Sequence, residues 1–282
     1  MKFSVFTVST PDYDLEQTVA KLKAFGYDGV EWRVADALKE EPEAIPPKER
    51  WYWSYNKSTL EIGTIEKSAA AIKSVCDRHG IEICALASYL TPEQTEPIER
   101  VLNAAQIMGC PRIRVNVPRY TGDVNYHVLL EKTVHDIKVL VPLAKQYGVK
   151  INFEIHMGNM IPSASAAYRL VSDFDSRYIG IIHDAGNMVH EGFEQYKMGA
   201  ELLKEYIDHV HIKNAKWVKE GGAWKAKWCP IWEGIANLKN LLTALQSIGY
   251  DGYLSFEDFS NEQSTDQKLE NNIAYIKNLL LE

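Results

Sequence analysis

The four cysteines of this 282-residue chain, Cys76, Cys84, Cys110 and Cys229, include no C-x-x-C pair, so neither a thiolate zinc clip nor a dithiol redox motif is on offer. Buried, reduced thiols are the expectation. The opening MKFSVFTVST lacks a basic segment followed by a long apolar core, and no later run approaches the length that crosses a bilayer. The chain is therefore expected to stay in the cytoplasm and to have no membrane partner. It also lacks an excess of basic residues: 31 Lys and Arg against 38 Asp and Glu leave a net charge of -7, which argues against nucleic acid as a partner and for a small molecule. No Gly-rich turn follows the first apolar run, where Thr7-Val8-Ser9-Thr10-Pro11 stands instead, and that disfavours a dinucleotide-binding open sheet. Asn56-Lys57-Ser58 matches a glycosylation sequon, which means little without a secretion signal.

What is present is an even alternation of strand and helix patterns in a chain that is 46% hydrophobic, enough for a large core. Strands are expected at Lys2–Val8, Gly29–Val34, Ile81–Tyr89, Arg112–Val117, Lys150–His156, Ile179–Asp184, Ile207–Lys213 and Gly252–Phe256. Helical spacing fills the intervals: Leu15 to Phe25 behind Asp14, then Ile65–Arg78, Pro97–Met108, Tyr126–Tyr147, Ala164–Val171, Phe193–Tyr206, Leu238–Ile248 and Leu269–Leu280. Eight strand–helix pairs of this kind predict a single (β/α)8 TIM barrel over 1–282, with residues 35–63 and 217–236 as extended loops on the active face. Polar residues recur at alternate positions near the strand ends, as in Glu31 and Arg33, Arg114 and Asn116, Glu154 and His156, His209 and His211, and Ser255 and Glu257. Such repetition suits strands that converge on one wet centre rather than an open sheet.

Four residues fall at the carboxyl ends of consecutive strands, the face where barrels of this type carry chemistry: Glu154, Asp184, His211 and Glu257. Three carboxylates and an imidazole brought together repel one another unless a cation lies between them, and no set of cations on these strands clearly offsets them. One divalent ion resolves the conflict. Oxygen ligands with a single nitrogen favour Mn²⁺ or Mg²⁺, with Co²⁺ or Zn²⁺ as further choices.

The segments Tyr27-Asp28-Gly29-Val30-Glu31, Phe153-Glu154-Ile155-His156, Ile182-His183-Asp184-Ala185-Gly186-Asn187, His209-Val210-His211-Ile212-Lys213-Asn214 and Leu254-Ser255-Phe256-Glu257, in that order, resemble the xylose isomerase-like barrel superfamily, in the branch of sugar phosphate isomerases, ketose 3-epimerases and inosose dehydratases. The resemblance spans essentially the whole chain. It implies that Glu154 and Glu257 bind the metal and exchange the substrate proton, while Asp184 and His211 complete the coordination. A carbohydrate substrate is implied, with epimerisation or isomerisation as the outcome and loss of water from a keto-inositol, or elimination from a 3-keto-glycoside, as the alternative. A non-catalytic sugar-binding barrel is the alternative of another class, and a homo-oligomer is left open. Where many members carry Asp-x-x-His, this chain has Asn187, and Lys213 is followed by Asn214 rather than Asp. The repair nucleases of the superfamily need further histidines where this chain has Ser88, Tyr89 and Asn116.

Around this centre His156, Asn187 and Lys213 are expected to contact substrate, His156 alternatively orienting Glu154. Trp217, Trp224, Trp228 and Trp232 suit stacking on a sugar ring, with Trp51 and Trp53 across the mouth, although packing would also account for them. Glu31 and Arg33 read as an ion pair inside the barrel, His209 as an interior hydrogen-bonded group and His183 as a core histidine.

Overall fold

The structure is a computed structural model and describes residues 1–36 and 51–281; the stretch 37–50 of the expected 35–63 loop, and the side chain of Trp51, lie outside the described residues. In chain order the strands are β1 (Lys2–Phe6), β2 (Gly29–Ala35), β3 (Leu60–Glu61), β4 (Glu82–Ser88), β5 (Arg112–Arg114), β6 (Lys150–Glu154), β7 (Ile179–Asp184), β8 (Ile207–Ile212), β9 (Asn214–Glu220), β10 (Ala223–Cys229) and β11 (Tyr253–Phe256). The helices are α1 (Leu15–Ala24), α2 (Trp51–Ser54), α3 (Ile65–His79), α4 (Thr95–Met108), α5 (Tyr126–Tyr147), α6 (Ala164–Val171), α7 (Ala185–Glu191), α8 (Tyr196–Leu203), α9 (Leu238–Ser247) and α10 (Thr265–Leu281). Parallel pairing runs β1-β11-β8-β7-β6-β5-β4-β2, and β2 returns to β1, so eight strands close into the expected barrel.

Local sequence explains the boundaries. Asp14 opens α1 with a capping box, its side chain accepting from the Gln17 backbone while Gln17 answers at the Asp14 N–H. Gly148 closes α5 at a φ of 64°, a left-handed turn that glycine adopts without strain and that aims the chain straight into β6. The apolar partners of the strands, among them Val30, Trp32, Ile151, Phe153 and Ile181, are buried beneath the helix layer. The four cysteines are buried and unpaired, as expected. Asn56 turns its amide inward to the Thr7, Val8 and Tyr52 carbonyls, so the sequon is a structural residue.

Three expectations need correction. The strand from Arg112 ends at Arg114, because Val115 and Asn116 bond singly to Asn152 and Leu90 instead of continuing a ladder. The helix expected from Phe193 starts at Tyr196, and an extra helix, α7, begins directly after Asp184, which caps it by accepting from the Asn187 N–H at 2.8 Å. From Trp217 to Cys229 the expected 217–236 loop is instead most of a β-hairpin: β9 and β10 pair antiparallel, and Gly221 and Gly222 turn the chain with φ of 57° and 83°. Two consecutive positive-φ residues match the right-handed twist of a tight hairpin. In β10 Trp224 and Trp228 fall on one parity and Lys225 and Lys227 on the other, which is a strand signature.

The amino-terminal rim of the barrel is clasped by charge. Asp208 meets Arg112 at 2.5 Å and Lys150 at 2.9 Å, and it accepts from Asn152 at 2.8 Å. Burial acts to raise the Asp208 carboxyl, but Arg112 and Lys150 overcome it and hold it well below the usual carboxylate range. Asp208→Asn is expected to cost about 2–3 kcal/mol at neutral pH, since two cations lose their counter-charge in a largely buried corner, and to lower Tm by several degrees. The carboxylate stabilises the fold fully above its unfolded value of about 4, and this is lost as pH falls through the lower native value. Thermal melts should therefore show parent and variant converging in acid.

Candidate metal and proton-transfer site

At the opposite rim the register brings the four expected ligands together. Asp184 lies beside His211, and His211 beside Ser255, so Glu257 follows two residues on, at the next inward position. Glu154 pairs with Ile182, two residues before Asp184. With a side-chain period of two, all four point to one centre, where their ligand atoms lie within 4.8 Å of one another. His211 Nδ1 is 3.0 Å from Glu154 Oε1, 3.5 Å from Asp184 Oδ2 and 3.7 Å from Glu257 Oε2, and all four side chains are buried.

Two cations share this centre, contrary to the expectation that the acids lack such partners. Arg114 donates to Glu154 Oε2 at 2.8 Å, its guanidinium lying over the rings of Phe6 and Tyr89. Lys213 bonds to Glu257 and stands 3.0 Å from Asp184 Oδ2, with Trp228 and Phe259 against its ammonium. A long side chain one strand over can reach an acid that sequence spacing alone leaves unpaired. Burial acts to raise Glu154, yet Arg114, His211 and Lys213 hold it well below the usual range. Burial, reinforced by Glu154 and Asp184, pushes Glu257 up to about 7 against the pull of Lys213 and His211.

The donor set still fits a divalent ion. Asp184 Oδ2 is fully buried, faces the cluster and has no well-aligned hydrogen bond among the described residues, the Lys213 ammonium standing 3.0 Å away as a stand-in for a cation, and three carboxylates with one imidazole are a hard-cation ligand set. The cluster is able to hold a metal.

The expected substrate contacts divide. Lys213 is buried inside the acid cluster. Asn187 gives its amide N–H to Glu154 Oε1 at 3.1 Å and to the Ile155 carbonyl at 3.0 Å, and its Oδ1 has no partner among the described residues. His156 follows β6 with Nδ1 at 2.7 Å from the Met157 carbonyl; a carbonyl only accepts, so Nδ1 donates and Nε2 is left as an acceptor. Of the tryptophans, Trp228 reaches the centre, against Lys213, Phe259 and His190. Trp217 donates to the Val189 carbonyl, Trp224 is exposed, Trp232 packs on Tyr275, and Trp53 lies against Phe259.

Glu31 and Arg33 do not pair. Glu31 crosses the barrel interior to His209, His211 and Ser255, whereas Arg33 bonds to Thr59, Tyr89 and the Trp53 carbonyl. Residues two apart on a strand project side by side, so each finds its partner on another element. His209 is the interior hydrogen-bonded group expected. His183 is buried in the core without a partner among the described residues, and burial lowers it to about 4.

Asn214, the departure beside Lys213, donates to the Ile231 and Ala236 carbonyls at 2.7 and 3.0 Å and accepts from the Ala215 and Ala236 N–H groups. An aspartate cannot donate those two bonds. Asn214→Asp is expected to lose about 2–3 kcal/mol, measurable as an earlier midpoint in urea unfolding.

Residues 19–279 match the sequence model of the family described as xylose isomerase-like TIM barrel. The chain belongs to that family. It is 26% identical over 129 residues to the inosose dehydratase of Clostridium perfringens strain 13, covering 41% of this chain and 42% of that protein. The chain spans about half the length of the curated relatives it matches. Among solved structures, the IOLI protein with a binding zinc atom superposes with a TM-score of 0.76 at 17% identity, covering 99% of this chain and 98% of its own. The 3-keto-D-glucoside 4-epimerase YcjR from E. coli superposes with a TM-score of 0.74 at 16% identity, covering 99% of both chains. At such identity the two superpositions establish the barrel of this xylose isomerase-like protein and nothing finer.

Sequence reasoning missed Arg114 as the partner of Glu154 and Glu31 as the partner of His211. Their inward alternation was a usable signal; which strand each would reach was not.

Proposed function

We propose that this chain is a divalent-metal-dependent isomerase or epimerase that moves a proton on a carbon next to the carbonyl of a sugar or of a polyol derivative such as a keto-inositol. The observation that carries this reading is the placing of Glu154 and Glu257 at the carboxyl ends of the outer two of four neighbouring strands, β6-β7-β8-β11, Glu257 directly after β11, with Asp184 and His211 between them. Bound by Glu154, Asp184, His211 and Glu257, a divalent ion (Mn²⁺ or Mg²⁺ in this proposal) would supply positive charge for the oxygen that becomes negative as the neighbouring C–H breaks. Glu154, kept ionised by Arg114, takes the proton, and Glu257, whose carboxyl burial pushes up to about 7 and which enters the step protonated, delivers its own from the other flank; in the opposite direction the roles exchange. Return to the same carbon from the other side inverts it, and return to the adjacent carbon interconverts aldose and ketose. His156 Nε2, Asn187 Oδ1 and Lys213 are the proposed contacts to substrate oxygens.

A second reading is a lyase, favoured by the inosose dehydratases among the relatives. The same abstraction followed by departure of a β-hydroxyl with a proton releases water. The test is a panel of ketoses, their phosphates, keto-inositols and 3-keto-glycosides in deuterated water with Mn²⁺. Label at carbon with composition conserved supports the first reading, loss of water or aglycone supports the second, and no reaction alongside stoichiometric sugar binding would leave a binding barrel.

A further inference from the structure

The geometry points to Glu31 as the positioning residue for His211, an inference that rests on the metal site proposed above. His211 Nε2 lies 3.1 Å from both carboxylate oxygens of Glu31. A carboxylate accepts, so Nε2 donates to Glu31; Nδ1, which here likewise donates to Glu154 Oε1 at 3.0 Å, is the nitrogen turned toward Glu154, Asp184 and Glu257, and it would give up its proton to take a cation. Phe6 stacks on the ring at 5.6 Å with 22° between planes and fixes its tilt. Glu31 is held in turn by His209 at 2.9 Å and Ser255 at 2.7 Å, and all of these side chains are fully buried.

A purely structural role does not account for this arrangement. Glu31 is fully buried in the barrel interior, and its two ion-pair partners are imidazoles rather than a lysine or guanidinium. An interior carboxylate is costly there unless its hydrogen bonds are complete, and among the described residues the side-chain bonds it makes, to His211, His209 and Ser255, lead to or brace the ring that faces the acid cluster. Glu31, His209 and His211 also have ligand-type atoms within 4.8 Å of one another, but this group offers a single carboxylate, already shared among Ser255 and both imidazoles, against three carboxylates at the neighbouring cluster. The set is a brace for one ligand and not a second ion site. Outer-shell carboxylates of this kind set the tautomer and basicity of a ligating histidine.

The test is Co²⁺ titration of the full chain, followed by calorimetry and by the visible absorption of the bound ion, for the parent, Glu31→Gln and Glu31→Leu. The parent should take up one Co²⁺ per chain. Leu should weaken uptake by roughly 10- to 100-fold and shift the absorption band, and Gln, which retains one acceptor oxygen, should fall between. Circular dichroism melts without metal report folding, and Gln, of the same shape, keeps the comparison open if Leu does not fold. Parent affinity and an unshifted band in folded Glu31→Gln would overturn the inference while leaving the metal site standing. Two Co²⁺ per parent chain with one lost in Glu31→Gln would overturn it by making Glu31 a ligand. A parent that takes up no Co²⁺ removes the metal reading itself, and the positioning role with it.

Discussion

Glu257→Gln is expected to slow the incorporation of solvent deuterium into substrate by about 10²- to 10⁴-fold, the usual contribution of a positioned acid–base group, while substrate affinity stays within a few-fold. Glutamine keeps the shape of the side chain and an oxygen for Lys213, but it cannot accept or return a proton. The buried carboxylate of Glu257 is linked to the rest of the centre through Lys213 and lies 3.7 Å from His211, so the substitution leaves most of the centre's contacts in place. The exchange is followed by proton NMR at saturating Mn²⁺, which keeps any loss of metal affinity out of the rate. Exchange at the parent rate removes Glu257 from the proton path.

Asp184→Asn is expected to separate two functions that one side chain combines. Oδ1 caps α7, and Oδ2 faces the cluster 3.0 Å from the Lys213 ammonium. Asparagine caps a helix as well as aspartate does, so the metal-free melting temperature should shift by only a few degrees. The ligand charge is gone, and divalent-ion affinity should fall by more than the roughly 10- to 100-fold that follows loss of an outer-shell partner. Turnover should collapse in parallel. Asp184→Ala should add about 1 kcal/mol of destabilisation from the lost cap. Calorimetric titration with Mn²⁺ beside thermal melts reads both effects, and unchanged affinity in Asp184→Asn would remove Asp184 from the ligand set.

The barrel was legible because its evidence is local and repeated. Ile151, Phe153 and Ile155 alternate with Asn152, Glu154 and His156, Gly148 ends the preceding helix, and eight such units in one order admit few other folds. The four clustered residues could be read because strand ends are positions on a chain, and closure brings successive ends together. What stayed hidden depends on reach across space. Arg114 could be seen to face inward, but its choice of Glu154 follows from β5 lying beside β6. Glu31 sits two residues from Arg33 and bonds across the barrel to β8 instead, which no local spacing encodes. The hairpin was missed because four tryptophans read as a binding loop, although Gly221-Gly222 between alternating segments was a turn signal. Helix α7 was missed because it is a seven-residue helix that begins at the very end of a strand.

Asp208 with its cationic neighbours, and the acids around His211, occupy opposite rims. In barrels of this kind conservation at one end reflects stability and at the other chemistry. Tolerance to change is therefore expected to be partitioned: the mouth beyond Asn187 and Asn214, such as the far end of the β9–β10 hairpin, can vary to admit differently shaped molecules, while the staves stay locked from beneath. Libraries randomised at the mouth should yield many folded members with altered selectivity, whereas libraries of equal size around Asp208 should yield mostly insoluble chains.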